Sequence, residues 1–160
     1  MTPRLLTPSY WEKFKTIRLS GLRTDPQAFA GDFTEELTRD ESGWRRRLGG
    51  EDRFFFGVER EDRLLAIAGA KKEKDGSWVV MAVHTLSVAR GQGLAQQLIK
   101  SIITEAKNRG AFKLKLWVNA DQEDAIHVYL KSGFKILELI RNQKMADGKY
   151  HDEYSMEKTI

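Results

Sequence analysis

Arg90-Gly91-Gln92-Gly93-Leu94-Ala95 carries the clearest chemistry in this chain. Gly91 and Gly93 remove the Cβ atoms that would keep a ligand from the backbone, and the apolar spacing of Leu94, Leu98 and Ile102 puts an amphipathic helix directly behind them. The first turn of a helix leaves about four N–H groups without intrahelical partners, at the positive end of the helix dipole. Such a turn can cradle a pyrophosphate; the same two glycines would also serve a bare turn from strand to helix. Gln96 stands where a dinucleotide fingerprint has its third glycine, and no Gly-Lys-Ser/Thr ending marks a triphosphate loop. On the strand that feeds the turn, His84 could relay a proton, since a free imidazole titrates near ~6.5. His127 and His151 have no metal-ligand spacing with a carboxylate, so no metal site is expected.

The run Arg90-x-x-Gly93-x-Ala95, followed by Ala125-Ile126-His127-Val128-Tyr129-Leu130-Lys131-Ser132-Gly133-Phe134, resembles the GNAT superfamily of acyl-CoA-dependent N-acetyltransferases. That family carries Gln/Arg-x-x-Gly-x-Gly/Ala at its pyrophosphate loop and Tyr-x-x-x-Gly-Phe at the end of the following helix. Leu22 to Phe29, Glu35-Glu36 and Trp44 are similar to its first two helices, so the resemblance covers nearly the whole chain. It implies an α/β (α+β) mixed sheet, mostly antiparallel with a central parallel, splayed strand pair and helices on both faces, in one domain over residues 1–160. It also implies transfer of an acetyl group from acetyl-CoA to a primary amine of a small molecule or peptide, by direct attack in a ternary complex.

The residue roles follow from the same resemblance. Val83, Thr85 and Leu86 supply or neighbour the backbone that pairs with the pantetheine arm, including an oxyanion donor. Arg90, Gly91, Gln92, Gly93, Leu94 and Ala95 hold the pyrophosphate, and Gln122 stands where the family often has an asparagine; Lys131 joins this cofactor set. Tyr129 occupies the family's tyrosine position, and its phenol, near ~10 when unperturbed, can give a proton to a leaving thiolate. A tyrosine packed beneath the sheet is the alternative. Many relatives use a strand glutamate as base, but Trp78 to Val88 holds no carboxylate, which leaves His84 or Glu35 for that role. Glu36 is adjacent to Glu35 and points elsewhere, so only one of the two can face the site. Phe29, Phe33 and Trp117 are candidates for the acceptor pocket wall, and Asp152 and Glu153 could attract a cationic amine. The missing strand carboxylate keeps a second reading open, an acyl-CoA sensor that binds without turnover.

Composition narrows the classes. A chain of 160 residues without cysteine can bury a sizeable core unaided, and it has no thiol nucleophile, thiolate metal site or disulfide. No apolar run approaches the ~20 residues of a membrane span, and no signal-peptide core follows Met1-Thr2-Pro3-Arg4, so a soluble, cytoplasmic protein without a membrane partner is expected. The net charge of +4 suits an anionic ligand such as coenzyme A. Arg45-Arg46-Arg47, the one dense basic cluster, reads as the exposed side of a helix end, and no base-stacking motif supports a nucleic-acid partner. Dimers are common in the family, often through the last strands, so a homodimer is a candidate assembly.

The elements that must position these residues can be read in order. An edge strand over Pro3 to Thr7 precedes a helix with Trp11, Phe14, Ile17 and Leu22 on one side, stopped at Asp25-Pro26. A second helical region, about Thr34 to Leu48, breaks near Ser42-Gly43 and closes at Gly49-Gly50. Phe54 to Val58 and Leu64 to Gly69 form a hairpin; Lys74-Asp75-Gly76 then turns into the central strand, Trp78 to Val83. The glycine turn leads straight into a helix ending at Asn108-Arg109-Gly110, and Phe112 to Val118 is a parallel partner strand. A helix over Glu123 to Lys131 and two strands, Lys135 to Arg141 and Tyr150 to Glu157, joined at Ala146-Asp147-Gly148, complete the chain.

Overall fold

The computed structural model describes residues 1–26, 29, 32–145 and 147–160. Gln27 and Ala28 of the expected first-loop motif and Ala146 of the last turn lie outside the described residues. The described residues form seven strands: β1 (Arg4–Leu5), β2 (Arg53–Arg60), β3 (Arg63–Lys72), β4 (Trp78–Thr85), β5 (Lys113–Asn119), β6 (Lys135–Lys144) and β7 (Tyr150–Thr159). The helices are α1 (Trp11–Thr24), α2 (Phe33–Leu37), α3 (Glu41–Leu48), α4 (Leu94–Asn108) and α5 (Glu123–Lys131). In space the strands run β1-β2-β3-β4-β5-β7-β6, antiparallel throughout except between β4 and β5.

Neighbouring side chains on β2 show how the layers divide. Phe55 packs against Phe14 of α1, ring centroids 4.7 Å apart, and Phe14 meets Trp44 of α3 edge-on at 6.0 Å. Phe54, pointing the other way, stacks on Trp78 at 5.4 Å and lies under the Arg109 guanidinium just past α4. So α1 and α3 cover one face and α4 the other. Leu94, Leu98, Ile99, Ile102 and Ala106 make the buried stripe of α4.

The expected break in the second helical region falls elsewhere. Asp40, not Ser42-Gly43, divides it: the Asp40 carboxylate accepts from the Gly43 N–H and starts α3 at Glu41, leaving Gly43 inside the first turn. The glycine turn is not continuous with the strand either, because Ser87–Ala89 forms a 3₁₀ turn between β4 and Arg90. The edge strand is only two residues long, and the last two strands extend beyond their expected ends. Arg47 does not share the exposure of Arg45 and Arg46; it turns inward to Glu36. No helix among the described residues is long and apolar enough to cross a membrane.

The feature that makes a site is the junction of β4 and β5. They pair only at Trp78↔Leu114 and Val79↔Lys115. Farther on, β3 meets β4 at Ile67↔His84 and at Gly69↔Met81, so two steps along β3 span three along β4. The extra residue is a bulge, with Ala82 at φ 55. A left-handed alanine costs about 1–2 kcal/mol, and bulges re-aim a strand. Here β4 bends off with β3, while β5 continues against β7 as far as Asn119↔Glu153.

Candidate functional site

Beyond β4 and the 3₁₀ turn that follows it, the two glycines lead into the start of α4. Gly91 and Gly93 have φ of 77 and 74, and a Cβ at either would meet nothing within 4 Å, so both face open space. Gly93 caps α4 without a side-chain hydrogen bond, and the first helical bond runs from the Gln97 N–H to the Gly93 carbonyl. The N–H groups of Leu94, Ala95 and Gln96 are therefore left without helical acceptors. Leu94 sends its side chain into the core, while Arg90 and Gln92 stay exposed. Gln96, the residue in place of a third glycine, donates to the Ser132 hydroxyl at 2.7 Å and ties α4 to the end of α5. These residues fit a pyrophosphate: the space is open and the donors converge on it.

The strand splay opens beside this cradle as a cleft of about 120 Å³. Val80 to Val83 form one wall, Leu116 to Asn119 the other, and Ala95, Gln122 and Tyr129 close it. Beyond Val79 the edge of β4 has no strand partner across the gap, so its backbone groups face the cleft. Tyr129 is buried, edge-on to Phe134 at 6.0 Å, and burial alone pushes its phenol well above the ordinary range. Gln122 precedes α5 without a capping hydrogen bond from its side chain. Asn119 is 4% exposed, and neither its Nδ2 nor its Oδ1 has a partner among the described residues.

His84 lies on the α1 side of β4. It is buried, packs edge-on against Phe29 at 5.6 Å, and its Nδ1 is 3.2 Å from Asp25 Oδ2. Asp25 Oδ2 also accepts from Arg90 Nη2 at 2.9 Å, and Arg90 Nε donates to the Thr85 carbonyl at 3.3 Å. Burial pushes His84 below the usual 6.5; Asp25 opposes this and Arg90 reinforces it. The neutral ring then donates from Nδ1 to the carboxylate, which leaves the buried Nε2, unpartnered among the described residues, as an acceptor.

Other sequence candidates are dispersed. Val83, Ala95, Gln122, Tyr129 and Trp117 line the cleft, and Thr85 and buried Leu86 lead from it to the cradle. Glu35 is exposed on α2, and Lys131 is exposed on the last turn of α5. Phe33 is half-buried beneath the Arg23 guanidinium. Glu36 is held by Arg18 at 2.6 and 3.2 Å and by Arg47 at 3.1 Å, so it is a structural anion. Sequence reasoning passed over three participants. Asp25 is legible only as a helix stop, Asn119 stands three residues ahead of Gln122 at the family's asparagine position, and the Ala82 bulge leaves no mark in an unbroken apolar run. An Asp ahead of a proline and an Asn at a strand end were the available signals. Among the described residues no group of three or more His, Asp or Glu side chains is gathered for a metal.

Comparison with known proteins agrees with this geometry. The model of the Acetyltransferase (GNAT) family matches residues 17–134. Mycothiol acetyltransferase of Corynebacterium efficiens is 31% identical over 77 residues, which are 48% of this chain and 26% of that protein, so the match spans about a quarter of the relative. Ribosomal-protein-alanine N-acetyltransferase from Brucella melitensis superposes with a TM-score of 0.82 at 18% identity, covering 100% of both chains. The yncA protein of Salmonella typhimurium, solved with its cofactor acetyl-CoA, gives 0.82 at 15% identity over 99% of this chain and 93% of its own. At such identities the superpositions establish the fold.

Proposed function

Since the chain belongs to the Acetyltransferase (GNAT) family, we propose that it moves an acetyl group from acetyl-CoA to a primary amine of a small molecule or peptide, as one domain over residues 1–160. The observation that carries this reading is the open glycine cradle at the start of α4, set beside the unpaired edge of β4. The cradle holds the pyrophosphate, and the β4 edge from Val83 pairs with the pantetheine arm. Acetyl-CoA supplies the activated thioester.

The chain's own residues then divide the work. An amine attacks only after losing a proton, and His84 Nε2 is the buried base, its ring oriented by Asp25. A β4 backbone N–H at the bulge meets the negative charge that develops on the carbonyl oxygen. Tyr129 is a weaker acid when buried than a free phenol, and the departing thiolate holds a proton only up to about 8.5. Its contribution is therefore a hydrogen bond to the sulfur rather than complete transfer.

The test is calorimetric titration with acetyl-CoA, with NAD as control, followed by thiol release in the presence of a panel of amines. Acetyl-CoA is expected to bind and NAD to fail. Gly93→Asp, a residue type that tolerates positive φ, should fold and lose at least 100-fold in affinity, because its carboxylate would face the pyrophosphate. Binding without thiol release from any amine would instead favour an acyl-CoA sensor. Wild-type affinity in Gly93→Asp would reduce the loop to a turn.

A further inference from the structure

The sheet register assigns a side to each residue around the cleft. Phe55, on the α1 face, pairs with Gly69, which pairs with Met81; Ile67 and its partner His84 share that face by alternation. Trp78 is on the α4 face with Phe54, and its partner Leu114 sends Leu116 and Val118 the same way. Trp117 and Asn119 therefore point to the α1 face, as does Glu153, the cross-strand partner of Asn119 on β7. The α4 side of the cleft is closed by Ala95, Val128 and Tyr129. His84 is thus on the same side as Trp117, Asn119 and Glu153, and a second reactant has that side to enter by.

We propose that Asn119, Glu153 and Trp117 form the acceptor subsite, and that its ligand is a primary ammonium group. The proposal rests on the acetyl-transfer reading and names the residues that would hold the amine at that same site. A directly opposed pair has its Cβ atoms about 4.5–5.5 Å apart, close enough for the Glu153 carboxylate and the Asn119 Oδ1 to share one cation. Asn119 points most directly to a bound polar group, because neither end of its buried amide has a partner among the described residues and buried polar groups in native folds are as a rule hydrogen-bonded. Trp117, 48% exposed at the mouth, offers an indole face to a cation. Burial holds the half-buried Glu153 carboxyl above its usual value, and a docked cation would oppose that shift. The subsite binds the ammonium, which must lose a proton before the amine can attack.

The experiment uses the wild-type chain, Glu153→Gln and Asn119→Leu, with glucosamine, spermidine and a mixture of short peptides with free N-termini as probes. Acetyl-CoA affinity is measured by calorimetry and transfer by thiol release. At least one probe is expected to be acetylated, with its KM raised tenfold or more in each variant and acetyl-CoA affinity unchanged within twofold. Asn119→Leu should melt no lower than wild type, since the amide it removes has no hydrogen-bond partner among the described residues. Two results overturn the subsite while leaving acetyl transfer standing: an unchanged amine KM, or weaker acetyl-CoA binding in Asn119→Leu, which would give the amide to the cofactor arm. Acetyl-CoA binding with no probe acetylated would favour the sensor reading and remove the subsite together with acetyl transfer. Failure of the wild type to bind acetyl-CoA would remove the acetyl-transfer reading and the subsite with it.

Discussion

One carboxylate oxygen, Asp25 Oδ2, stands between the proposed base and the glycine loop, 3.2 Å from His84 and 2.9 Å from Arg90. Its effect on rate is open to measurement through pH. Burial lowers the His84 pKa, so the ring stays neutral, and able to accept a proton, to a pH below 6.5. The acid limb of kcat/KM should therefore lie below 6.5, with activity lost only as pH falls through the shifted value. Asp25→Asn removes a group that raises that pKa, so the limb should move lower still, while kcat drops about tenfold or more because the ring loses the partner that fixes its tautomer. A limb that does not move in Asp25→Asn, or that persists in His84→Gln, would take the base role from His84. The histidine could be picked from the sequence because it stands alone in an apolar strand. Its partner could not, since Asp25 lies far away in sequence and meets it only when α1 packs on β4.

At the scale of elements, α2 owes its place to charge rather than apolar area. It has five residues, too few to be a stable helix alone, and its buried residue is Glu36. Arg18 of α1 and Arg47 of α3 grip that carboxylate from two sides, so the three helices are joined at one anion. Removing one partner of such a buried group typically costs about 3–5 kcal/mol. Glu36→Ala should therefore lower the unfolding free energy by that order in a denaturant titration, whereas Glu35→Ala, on the exposed side, should change it by no more than about 0.5 kcal/mol. Equal effects would mean that α2 is held by something else. The amphipathic periods of α1 and α4 and the glycine at the end of α4 are legible because each is a local pattern. The division of α2 from α3 depends on whether Asp40 or a later residue caps, and the β4 bulge depends on pairing with β3; neither is a property of its own segment.

The whole molecule sets both the opening of the cleft and the field around it. Placing β7 between β5 and β6 holds β5 straight while β4 leaves with β3, an order that two consecutive strand patterns do not reveal because it rests on long-range pairing. The chain carries a net charge of +4, and the cradle is at the surface, with Arg90 and Gln92 exposed, so its attraction for phosphates is open to screening. The Debye length falls from about 10 Å at 0.1 M salt to about 3 Å at 1 M. Acetyl-CoA at about 100 times its Kd should stabilise the protein by about 2.7 kcal/mol. For a domain of this size that is a rise in Tm of roughly 5–10 °C. Between those two salts, at fixed acetyl-CoA, this ligand-induced rise should shrink by about 2 °C or more, because a several-fold loss in affinity costs about 1 kcal/mol. The comparison is made on the ligand-induced rise, so that salt effects on the free protein cancel. A rise that ignores salt would mean that the apolar cleft, rather than the glycine cradle, holds the cofactor.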